Sequence, residues 1–179
     1  MKEKLSLLLV EDDSFWADEI LESLDINKFE ITYCSDLQSA LDTLSKKQFD
    51  LITLDLQLPD SIHPLNTLGK VTSLESISYV PIIVITSLAD DKLIAKAMDL
   101  GVQDFIIKGE FNETVLIHSM KLAIHRIESK LKADQNKSLK KVINNLKSIE
   151  RKLKSFEIEM KRSNLVAIEM KRSSLVAIA

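Results

Sequence analysis

The chain is poor in the residues that interrupt regular structure. Three glycines and three prolines in 179 residues exclude a loop-rich scaffold and favour regular elements with short connections. One cysteine, Cys34, excludes an internal disulfide framework and fits a reducing cytosol; in or near a strand it reads as core filler. No apolar run approaches the roughly 20 residues of a spanning helix. The apolar stretch after Met1-Lys2-Glu3-Lys4 is too short for a signal peptide and lacks a small-residue cleavage site. A cytoplasmic protein without membrane association is expected. Three scattered histidines, His63, His118 and His125, give no zinc spacing and read as surface or linker residues. No P-loop and no Ser-His-Asp order is present.

What the chain does have is 45% hydrophobic residues, enough for the core of one ordinary domain plus an appendage. Its charge is unevenly spread. Residues 1–125 carry 10 basic and 21 acidic side chains, residues 126–179 carry 14 and 6, and the whole chain has a net charge of −3. An acidic front and a basic tail point to two segments with different jobs.

Two hydrophobic periods alternate along the first 125 residues. Leu5–Val10, Leu51–Leu54 and Ile82–Ile85 are short continuous apolar runs, with shorter mixed runs at Ile31–Cys34 and Asp104–Ile107. Runs that are apolar on both faces suit a parallel sheet covered by helices. Between them lie helical patterns. Leu37, Ala40, Leu41 and Leu44 repeat at i, i+3, i+4, i+7, as do Leu93, Ile94, Ala97 and Leu100, after which Gly101 is a stop signal. Asp13 or Ser14 suits a helix cap, and Pro64 suits a first turn. Five β-α repeats, the last helix starting near Asn112, predict a doubly wound α/β domain with a five-stranded parallel sheet.

The remainder, residues 132–179, reads as a helical tail. A polar break is expected at Lys132–Ser138. Leu139, Val142, Leu146, Ile149, Leu153, Phe156 and Met160 then step by 3 and 4, about three heptads, which predicts a coiled coil able to form a homodimer. One amphipathic helix packed on its own domain is the rival reading. Glu159–Ile168 and Glu169–Ile178 match at nine of ten positions; the period fits neither 7 nor 11 and reads as a tandem duplication without a selected fold. The tail's lysines lie mostly at non-core helical positions without interleaved tyrosine or tryptophan, so no nucleic-acid binding is expected.

Chemistry-bearing residues fall at strand ends. Val10 leads into Glu11-Asp12-Asp13, Leu54 into Asp55, Ile85 into Thr86-Ser87 and Ile107 into Lys108. The functional crevice of an open parallel sheet lies at the carboxyl ends of its strands, so these residues should converge. Converging carboxylates repel unless a cation neutralises them, and Mg²⁺ takes oxygen ligands of this kind; Glu11, Asp12 and Asp55 form a candidate set. Asp55 is then a candidate phosphoryl acceptor, with Lys108 a point charge for a phosphate oxygen and Thr86 a hydroxyl able to follow it. Singly, an acid after a strand is often just a cap; jointly, four strand ends argue for function.

The stretches LLLVEDD (7–13), LITLDLQLPD (51–60), PIIVITS (81–87) and GVQDFIIKGE (101–110), with 43 residues from Asp12 to Asp55 and 22 from Thr86 to Lys108, resemble the receiver domain of two-component response regulators, over about two thirds of the chain. The subgroup resembled carries LPDS and KG motifs. The resemblance implies a flavodoxin-like sheet of order 2-1-3-4-5 and a receiver domain within residues 1–131. It implies phosphorylation of Asp55 by a histidine kinase or histidine phosphotransfer protein, with output through contact with a downstream protein. It also implies a Mg²⁺ site of Glu11, Asp12, Asp55 and the Gln57 backbone carbonyl, phosphate contacts from Thr86 and Lys108, and an aromatic switch at Phe105. Gly109 stands where most receivers have proline, which puts a cis peptide there in doubt. Leu88, being apolar, would exclude attacking water and prolong the phosphoryl state. The rival readings are a Mg²⁺-dependent phosphohydrolase, disfavoured by Gln57 where such enzymes want an acid, and a pseudo-receiver or coiled-coil adaptor, disfavoured by the intact acids, Thr86 and Lys108. By the same reading the protein is not an enzyme beyond its own phosphoryl transfer and dephosphorylation.

Overall fold

The computed structural model describes residues 4–110 and 112–176, with side chains beyond Ser155 described only at Glu159 and Arg162. The chain divides after Leu131 into two compact units.

In the first unit, β1 (Leu5–Val10), β2 (Phe29–Cys34), β3 (Leu51–Leu54), β4 (Ile82–Thr86) and β5 (Asp104–Ile107) alternate with α1 (Ser14–Glu22), α2 (Leu37–Leu44), α3 (Pro64–Thr72) and α4 (Asp91–Asp99). A short 3₁₀ turn, Glu75–Ile77, precedes β4, and α5 is helical over Glu113–Val176. All strand pairs are parallel, in the order β2-β1-β3-β4-β5, the order expected from the sequence. β2 begins two residues earlier than the apolar pattern suggested, because Phe29 and Glu30 pair with Leu5 and Ser6.

The period of two along each strand sorts the core into two layers. Leu8, Val10, Ile52, Leu54, Ile82 and Val84 face α2, α3 and α4, meeting Leu37, Ala40, Leu44, Leu68, Val71, Leu93 and Ala97. Leu7, Leu9, Leu51, Ile83, Ile85 and Ile106 face the other way, onto Ala17 and Ile20 of α1 and Leu116, Met120 and Ala123 of α5. Each such Leu or Ile is worth roughly 1.5–3 kcal/mol over the exposed state. Burial on both faces is why these strands read as unbroken apolar runs rather than alternating ones.

Helix ends follow local chemistry. The Asp13 side chain accepts from the Phe15 N–H at 2.9 Å and caps α1; Asn112 accepts from the Val115 N–H at 3.0 Å and caps α5. Pro64 occupies the first turn of α3, where a missing N–H costs nothing. α4 ends at Gly101, whose φ of 94° is open to glycine, with Gly101 N–H to Met98 O at 3.0 Å and Val102 N–H to Ala97 O at 3.2 Å satisfying the last carbonyls. The polar break at Lys132–Ser138 falls in the apolar pattern and not in the helix; α5 runs through it. Lysine, alanine and glutamine are good helix formers and no glycine or proline intervenes, so polarity there costs the helix a buried face and nothing more.

In the second unit Leu139, Val142, Leu146, Ile149 and Leu153 are exposed along α5. The side chains of Phe156 and Met160, and those of the duplicated segment other than Glu159 and Arg162, lie outside the described residues.

Candidate functional site

Parallel pairing puts the ends of β1, β3, β4 and β5 side by side. Asp55 N–H donates to Val10 O at 2.9 Å, and Lys108 N–H donates to Thr86 O at 2.9 Å, so backbone bonds carry the site residues just past the sheet edge. Three elements then meet at one ammonium. Lys108 Nζ donates to Asp55 Oδ2 at 2.6 Å and to Glu11 Oε1 at 2.7 Å, with side-chain exposures of 4%, 3% and 1% respectively. Charge-assisted bonds this short in a dry site are strong, and removing one partner strands the others.

The carboxylates are held from the backbone as well. Asp13 N–H donates to Glu11 Oε1 at 3.1 Å, and Gln57 N–H to Asp55 Oδ1 at 3.0 Å. Asp12 is exposed at the rim. One oxygen from each of Glu11, Asp12 and Asp55 can lie within 4.8 Å of the others. Burial pushes the Glu11 carboxyl from 4.5 up to about 7, Asp55 adds to the rise, and Lys108 opposes it. Burial works against the Lys108 ammonium too, but its bonds to Asp55 and Glu11 outweigh this and hold its pKa above the ordinary 10.5.

Two buried polar atoms have no hydrogen-bond partner among the described residues of this site, Glu11 Oε2 and Thr86 Oγ1. A three-carboxylate, all-oxygen donor set with an unpaired carboxylate oxygen fits a hard divalent cation such as Mg²⁺, for which Glu11, Asp12 and Asp55 are the side-chain ligands available. Thr86 is fully buried at the end of β4. Phe105 is half-buried and packs with Leu88 against the layer of core that includes Leu93 and Ala97 of α4. Gly109 has a φ of 85°, and no described peptide bond is cis; a Cβ there would meet Trp16 Cη2 at an ordinary 3.7 Å, so the backbone conformation rather than space favours glycine.

Two further residues, outside the candidate set drawn from the sequence, shape the loop after β3. Asp60 accepts from the Leu37 and Gln38 N–H groups at 2.9 and 2.8 Å, tying the loop to the N-terminus of α2, and these bonds hold its carboxyl below the ordinary 3.8 against the opposing effect of burial. The fully buried Thr67 hydroxyl reaches Leu56 O at 3.3 Å and Ser61 Oγ at 2.5 Å. The proline-aspartate pair of LQLPD was a signal for the first; nothing in the sequence marked Thr67.

A flavodoxin-like sheet with three acids, a threonine and a lysine gathered at its carboxyl edge defines a receiver-type signalling domain. Residues 7–121 match the response regulator receiver domain family. The chain is 31% identical over 102 residues to the transcriptional regulatory protein CrdR of Helicobacter pylori, covering 57% of this chain and 47% of that protein. It is 31% identical over 139 residues to the probable transcriptional regulator ycf27 of Porphyridium aerugineum, covering 77% and 53%. A CheY-like receiver domain protein from Methanospirillum hungatei shares the fold, with a TM-score of 0.63 at 21% identity over 71% of this chain and 98% of that one. The chain belongs to the response regulator receiver domain family of two-component signal transduction. It spans about half the length of the curated relatives it matches.

Receiver domains are signalling switches rather than enzymes in the usual sense, and they bind Mg²⁺ at an acidic site. Response regulators take phosphoryl groups from histidine kinases and act on downstream targets. No helix among the described residues is long and apolar enough to cross a membrane.

Proposed function

We propose that Asp55 accepts a phosphoryl group from a phosphohistidine on a histidine kinase or histidine phosphotransfer protein. An Asp55 carboxylate oxygen bonds to phosphorus, the phosphorus–nitrogen bond breaks, and the imidazole keeps the electron pair. Glu11, Asp12, Asp55 and the Gln57 backbone carbonyl would hold Mg²⁺, which supplies charge neutralisation at the phosphoryl oxygens. Lys108, already within 2.6 Å of Asp55, stabilises the transferring charge by moving its donors onto a phosphate oxygen. The observation that carries this reading is that bridge: one buried ammonium touching both Asp55 and Glu11.

Thr86 then donates its unpartnered hydroxyl to the phosphoryl group, and Phe105, on the neighbouring strand, repacks against α4. The output is protein–protein contact at the surface built from α4, β5 and α5, read by a downstream protein. In this reading residues 1–131 are the receiver domain and residues 132–179 a helical tail that self-associates. The lone buried cysteine supports a reducing, cytoplasmic setting.

The test is intact-mass and fluorescence titration with acetyl phosphate and beryllofluoride in the presence of Mg²⁺. One phosphoryl group on the wild type and none on Asp55→Asn is expected. Equal labelling of the two would sink the assignment.

A further inference from the structure

The described part of the tail presents a continuous apolar stripe. Leu139, Val142, Leu146, Ile149 and Leu153 are each 53–61% exposed, and Ile143 beside them is 41% exposed. Their 3-4 spacing fixes the heptad: Leu139, Leu146 and Leu153 at position a, Val142 and Ile149 at d, and Ile143 at e. That assignment inverts the usual two-stranded pattern, in which β-branched residues occupy a and leucine occupies d.

Geometry explains why the inversion matters. In a parallel two-stranded coil the Cα–Cβ bond at d points straight at the partner helix, and a second branch on Cβ is forced off its preferred rotamer. At a the bond runs alongside the partner and a branch fits. In a four-stranded bundle the two directions exchange. Leucine at a with valine or isoleucine at d therefore packs in low-energy rotamers around four helices and poorly around two. The interface also widens with strand number, which covers Ile143 at e. The flank of that wider seam brings position b of one chain near e of the next. Position b is all lysine (Lys140, Lys147 and Lys154) and e carries Glu150; within one chain Glu150 already attracts Lys154, at 3.0 Å.

We propose that the partner covering this stripe is further copies of the same chain, in a parallel, in-register bundle of four helices. This rests on the self-association reading above and specifies its stoichiometry. Like residues stack with like in such a bundle, so leucine layers alternate with valine or isoleucine layers.

Sedimentation equilibrium of the full chain at micromolar concentration gives the test. The expected mass is four times 20.2 kDa. A composition-balanced variant, L139I, V142L, L146I, I149L and L153I, exchanges a and d and is expected to halve the mass. L146D with I149D is expected to give the single-chain mass. A wild-type mass of two or three chains overturns the four-stranded assignment alone. A single-chain mass overturns self-association as well. An unchanged mass on exchanging a and d overturns the parallel arrangement, since an antiparallel bundle pairs a with d either way. A four-chain mass in the aspartate variant places assembly elsewhere and overturns the proposal. Labelling of Asp55 by acetyl phosphate in the same samples reports separately on the phosphoacceptor reading.

Discussion

Lys108 holds two buried carboxylates that no other described cation neutralises. Lys108→Ala leaves both without a counter-charge and should cost the metal-free protein about 3–5 kcal/mol, measured by urea unfolding, with part of the loss recovered in Mg²⁺. Glu11 predicts a pH dependence. Its folded pKa of about 7 lies above the ordinary 4.5, so between these values the folded state keeps a proton that the unfolded state releases. The stabilisation is complete below about 4.5 and is lost as pH rises through about 7. Metal-free melting temperature should fall from pH 5 to pH 8, and Glu11→Gln should flatten the slope; a parallel slope in the variant would refute the assignment. The proposed exclusion of water by Leu88 predicts a long-lived phosphorylated state. Leu88→Asn should shorten it in a radiolabel decay assay, and a wild-type half-life of seconds would already contradict the water-exclusion argument. Glu11, Asp12, Asp55, Thr86 and Lys108 were legible because the β-α alternation alone puts strand ends together. The roles of Asp60 and Thr67 were not: LQLPD marked Asp60 without its partners at Leu37 and Gln38, and the Thr67 bonds to Leu56 and Ser61 leave no periodic mark.

At the scale of elements, α2 shows a helix start shared between two segments. Asp36 accepts from the Ser39 N–H at 2.7 Å, while Asp60 takes the Leu37 and Gln38 donors from across the fold. Asp60→Ala should cost about 1 kcal/mol, in the range of a lost cap, seen in urea unfolding together with faster amide exchange at Leu37 and Gln38. The strands and the stop at Gly101 were readable because burial on both faces and a left-handed glycine each have one sequence form. The helix through residues 132–138 was readable because no glycine or proline follows Gly109, although polarity there interrupts the apolar face.

At the scale of the whole molecule, an acidic domain and a basic helix share one chain of net charge −3. If the tail associates, its stability follows mass action. Helix loss followed by circular dichroism should shift to higher temperature as protein concentration rises, while near-ultraviolet unfolding of the receiver should move less; concentration independence of both would argue against association. The parallel sheet has one more consequence. Because all five strands run the same way, the first unit has a chemical rim and a silent rim. The loops after β1, β3, β4 and β5 form the first. The connections at Ser23–Lys28, Ser45–Asp50, Ser78–Pro81 and Leu100–Gln103 form the second, far along the strands from Asp55. Apart from Gly101, held to glycine by its φ of 94°, changes in loop length or residue type on that rim should leave the acidic site opposite untouched.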